Sequence, residues 1–94
     1  MYGSAGILNF VVTAALNKAS LYRYMATAPG IYEDEVSRLI NEARNLESLA
    51  ESAIKGDRLA IEFLCKDMNL ESAFWDYENL INIEEASAVE SLSK

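Results

Sequence analysis

Very little in this chain can stop a helix. It has one proline and four glycines in 94 residues. After Gly6 these fall at two places only, Ala28-Pro29-Gly30 and Lys55-Gly56-Asp57. Such sparse punctuation, in a chain rich in Ala, Leu and Glu, favours long helices over a many-stranded sheet. A softer break stands at Asp67-Met68-Asn69. Three breaks delimit four segments, expected as helices at about 5–27, 31–55, 57–67 and 70–90. The expectation is an all-α, single-domain bundle of about four segments, opening with a helical hairpin.

The four segments differ in how their apolar residues are spread. In the first, Asn9, Thr13, Asn17, Ser20 and Thr27 share one narrow stripe at 100° per residue. Ile7, Leu8, Phe10, Val11, Val12, Leu16, Leu21 and Met25 fill the rest. A helix apolar most of the way round is usually buried on more than one side. The second is plainly amphipathic: Tyr32, Val36, Leu39, Ile40, Ala43, Leu46, Ala50, Ala53 and Ile54 oppose Ser37, Arg38, Asn41, Glu42, Arg44, Asn45, Ser48 and Ser52. Glu33, Asp34 and Glu35 suit its positive dipole end. Asp34–Arg38 and Glu51–Lys55 are expected i, i+4 pairs, and Gly56 is expected just past its end. Asp57 is the expected N-cap of the third segment. There only Arg58, Glu62 and Lys66 are polar on the solvent side, so it is expected largely buried. The fourth starts after Asn69, a possible cap. It aligns Leu70, Ala73, Phe74, Tyr77, Leu80, Ile81, Ala88 and Leu92, and is expected to fray beyond Ile83.

Charge is unevenly laid out. The net charge is −7, with +2 over residues 1–32, −3 over 33–66 and −6 over 67–94. An acidic half disfavours direct binding of nucleic acid or anionic lipid. It suits a partner protein with a basic surface, or it keeps the chain soluble. The apolar run Ala5–Leu16 is short of the 20 or so residues that span a bilayer and follows no basic stretch. A chain without targeting segment or membrane span is therefore expected. The lone Cys65 precludes an intrachain disulfide and suits a cytoplasmic location.

Catalysis finds little support. There is no histidine, which removes His-based triads and most zinc sites. Ser52-Ala53-Ile54-Lys55 matches a Ser-x-x-Lys pattern, but on the solvent face of a helix, without the cleft such chemistry needs. Glu71, Glu78 and Glu85 recur every seven residues and read as a solvated stripe. No enzyme, cofactor or metal is expected.

Candidate residues are therefore contact residues. Trp75 lies about 140° from Leu70 on a helical wheel, beside Glu71 and Glu78. It serves either as an interface anchor ringed by Glu71, Glu78 and Glu85 or as a core residue packed on segment one. Lys18 and Glu47 intrude on apolar faces. In a hairpin turning at Pro29 they stand about 10 Å out of register, so they pair across a subunit interface or snorkel separately. The surplus apolar surface of segment one points to a homo-oligomer through Ile7, Val11, Lys18, Leu21 and Met25. The function expected is a non-catalytic interaction or assembly module. The rival is a small acidic inhibitor, of anti-defence or immunity type, blocking a basic and possibly nucleic-acid-binding groove.

Overall fold

The computed structural model describes the backbone of residues 3–93 and the side chains of residues 3–86. Four helices, α1 (Ser4–Met25), α2 (Glu33–Ile54), α3 (Arg58–Asp67) and α4 (Glu71–Ser93), take up most of the chain, with no strand among the described residues. α1 touches all three others, whereas α2 and α4 do not meet.

Each turn has a local cause. Pro29 pushes Ala28 out of the helical region, and Gly30 takes a left-handed φ of 78°. The first connection is thereby longer than expected, running from Ala26 to Tyr32. The α2–α3 turn is a Schellman cap: the Gly56 N–H donates to the Ala53 carbonyl and the Asp57 N–H to that of Ser52. Gly56, at φ 94°, occupies the position that tolerates no Cβ cheaply. Asp57 then caps α3, its Oδ1 accepting from the Leu59 and Ala60 amides at 3.0 and 3.4 Å.

The α3–α4 turn repeats the motif with asparagine. Asn69 sits at φ 57°, its N–H donates to Lys66, and that of Leu70 donates to Cys65 at 2.6 Å. Asn69 thus ends α3 by its left-handed backbone, where a cap for α4 was expected. The two roles look alike in sequence because asparagine suits both. α4 remains helical to Ser93, past the expected fraying point at Ile83.

The core is small and alanine-rich. Val11, Val12, Ala15 and Ala19 of α1 meet Ala43, Leu46, Ala50 and Ala53 of α2, then Ala60, Ile61, Leu64 and Cys65 of α3 and Tyr77 of α4. Leu39 is buried apart from them, in the elbow with Met25 and Ile31. Small side chains let helices lie close but bury little area each. The long axis is 65 Å against 20 and 16 Å across. The radius of gyration, 16.9 Å, exceeds the about 12 Å expected of a compact chain this long.

Burial in α3 and at the ends of α2 falls short of the apolar pattern. α3 is covered on one side only, and Leu59 and Phe63 stand 76% and 61% exposed. Tyr32, just before α2, and Ile54, its last residue, stand at the ends of the apolar face and are also exposed.

Candidate interaction surfaces

α1 presents two unlike sides. Inward go Val11, Val12, Ala15 and Ala19. Outward go Asn9, Phe10, Thr13, Leu16, Asn17, Ser20, Leu21 and Tyr24, all exposed. Asn9, Thr13, Asn17 and Ser20 of the foreseen polar stripe lie on this side, while Thr27 falls beyond the end of α1. What differs is the apolar remainder: Phe10, Leu21 and Tyr24 are 57%, 55% and 75% exposed instead of covered.

The helix has only two charges, and both are engaged elsewhere. Lys18 Nζ donates to Asp67 Oδ2 of α3 at 3.1 Å and lies 5.8 Å from the Tyr22 ring centre. The hydrogen bond to Asp67 raises the lysine pKa above its ordinary value. Arg23 grips Glu47 of α2 through Nε and Nη2, at 3.1 and 2.6 Å, and those bonds hold the Glu47 carboxyl below its usual range. In a hairpin turning at Pro29 this pair would stand even further out of register than Lys18 and Glu47, so its contact shows that the long Ala26–Tyr32 connection shifts the two helices from the expected register. Lys18 and Glu47 do not pair with each other; each has its own partner within the chain.

This sorts the residues proposed for self-association. Leu21 and Met25 are exposed, and Ile7 is half-buried at the edge of the α1–α4 groove. Val11 is wholly buried in the core and Lys18 is tied to α3, so neither lies on the bare side. Phe10, Asn17 and Tyr24 do. Their seven-residue spacing was visible in the sequence, but which side of a mostly apolar helix is left bare was not.

An open groove of about 520 Å³ runs between α1 and α4, lined by Gly6, Ile7, Asn9, Phe10, Thr13, Ala73 and Asp76. At its far end the Ser4 N–H and hydroxyl donate to the Glu84 carboxylate at 3.2 and 2.5 Å. The same bonds depress the Glu84 pKa. A residue 80 positions away in the chain thus caps α1, whose own N-cap, Gly3, has no side chain to do it.

The second surface lies between α3 and α4. Trp75 is 68% exposed there, not packed on α1. It lines a groove of about 330 Å³ with Glu62, Cys65, Lys66, Glu71, Phe74 and Glu78. Glu71 and Glu78 accompany Trp75 as expected, while Glu85 is carried away along the helix and faces Arg58 at 3.8 Å. Glu62 and Lys66 come from α3 and could not be assigned to this groove from the sequence. The Cys65 thiol is buried, and desolvation, helped by the nearby Glu71 charge, pushes its pKa up, which leaves it a poor nucleophile.

Ser52 is half-buried, and Lys55 reaches Glu51 at 3.4 Å on an open surface. Arg38 pairs with Glu35, in place of the expected Asp34. Among the described residues no group of three metal-ligating side chains gathers, and no helix is long and apolar enough to cross a membrane. No family model, curated protein or solved structure matches the chain.

Proposed function

We propose that this protein is a non-catalytic assembly module that associates with a second copy of itself through the outward side of α1. The observation that carries this reading is a face about four turns long, Asn9 to Tyr24, without one charged side chain, on a chain of net charge −7. Two copies approaching by any other side bring acidic helices together; approaching by α1 they bring together helices that carry no acid. Area supports the same reading. The chain exposes 6715 Å², about 1,300 Å² more than the roughly 5,400 Å² of a compact monomer of 10.4 kDa. Burying about 800 Å² per partner makes a standard stable interface. A reducing cytoplasm suits the free thiol of Cys65.

Sedimentation or light scattering tests this at micromolar concentration. The wild type is expected to be an oligomer insensitive to salt, and Leu21→Glu a monomer with unchanged helix content. A monodisperse wild-type monomer at high micromolar concentration rejects the reading.

The exposure of Trp75 favours a second reading: a small acidic binding or inhibitor protein whose α3–α4 groove receives a basic side chain of a partner. The cation would stack on the indole between Glu62, Glu71 and Glu78. Trp75→Ala should then lower partner affinity by about 2 kcal/mol or more. Replacing Glu71 and Glu78 by glutamine should chiefly slow association and flatten its salt dependence.

A further inference from the structure

Resting on the self-association reading, we infer that the two copies pack α1 against α1 antiparallel, about a two-fold axis that passes at Asn17. Two pairs of exposed residues on the face are spaced symmetrically around that position. Phe10 and Tyr24 each stand seven residues from Asn17, and Thr13 and Leu21 each four. An antiparallel two-fold at Asn17 therefore sets Tyr24 of the second copy over Phe10, Leu21 of the second copy over Thr13, and the two Asn17 amides against each other.

The grooves match this register. The α1–α4 groove opens beside Phe10 and Thr13, whereas Tyr24, the most exposed large apolar residue of α1's outward face, stands about 21 Å further along the same helix than Phe10. No copy can fill its own groove with its own Tyr24; the two-fold fills both. The ring then lies against Phe10 and Ala73, with its hydroxyl placed to donate to the Asp76 carboxylate. A side-chain amide is self-complementary, one carbonyl accepting from the other's NH₂. Asn17 is the polar residue on the axis of this seam, where a shifted register would separate the two amides and leave them facing other side chains. Antiparallel helices also oppose their dipoles favourably.

Disulfide trapping under mild oxidation tests the register, with sedimentation of the wild type run beside it. Cys65 is buried and does not compete. Asn17→Cys should cross-link to itself. Thr13→Cys on a tagged chain should cross-link to Leu21→Cys on an untagged one, and Thr13→Cys alone should not. In the antiparallel arrangement the two Thr13 positions are about 12 Å apart along the axis, beyond disulfide reach. Self-linking of Thr13→Cys, or absence of the Thr13–Leu21 product in a chain that sediments as a dimer, overturns the register while leaving self-association standing. A monomeric wild type removes both.

Discussion

Glu84 closes a helix it does not belong to, and its effect should be visible in acid. Its folded pKa is depressed by the two Ser4 hydrogen bonds, so its contribution is complete above the ordinary glutamate value of about 4.3. That contribution is lost as pH falls through the lower folded value. Glu47 and Glu35 titrate with the same sign through Arg23 and Arg38. Thermal midpoints should hold steady from neutrality to about pH 5 and decline below it, and Glu84→Gln should decline less than the wild type. An equal decline would show that the Ser4 contact adds nothing. Trp75 gives a second residue-scale check. An indole 68% exposed should emit at long wavelength and be quenched readily by acrylamide. Iodide should quench it less than caesium, because Glu71 and Glu78 repel the anion. A blue-shifted emission shielded from all three would put Trp75 indoors.

At the scale of elements, stability rests on turns as much as on the thin core. Asp57→Ala removes two capping bonds to α3 and should cost about 1 kcal/mol. Asn69→Gly should be tolerated where Asn69→Ala is not, since only the former relieves a left-handed backbone. Urea denaturation midpoints decide both. Leu64, wholly buried among α3 and its neighbours, should cost 2–5 kcal/mol as alanine. On α1 two substitutions about three turns apart can be compared directly: Val11→Glu places a charge in the core and should unfold the chain. Leu21→Glu places one on the bare face and should leave helicity intact. Equal loss of circular dichroism in both would mean that the outward face is not a free surface.

The whole molecule is elongated, 65 Å by 20 by 16 Å, and among the described residues α1 is flanked by α2 and by α4, which do not meet. A bundle closed on itself would bury the outward face of α1; this one leaves it open. Small-angle scattering of monomeric Leu21→Glu should give a radius near 17 Å, not the about 12 Å of a compact chain. A compact value would mean that the helices close over that face in solution, and the case for a partner there would go with it.

Helix number, the caps at Gly56 and Asp57, and the inward side of α2 were legible from residue order, because each depends on neighbours within a turn or two. The same holds for the absence of charge on α1 beyond Lys18 and Arg23. Three things required the tertiary structure. Which half of α1 is bare depends on where α2 and α4 pack, and a helix apolar nearly all round carries no periodic signal to say so. The exposure of Leu59 and Phe63 depends on α3 having neighbours on one side only. The Ser4–Glu84, Lys18–Asp67 and Arg23–Glu47 contacts join residues far apart in the chain, and their distances follow from helix register, which no local pattern encodes.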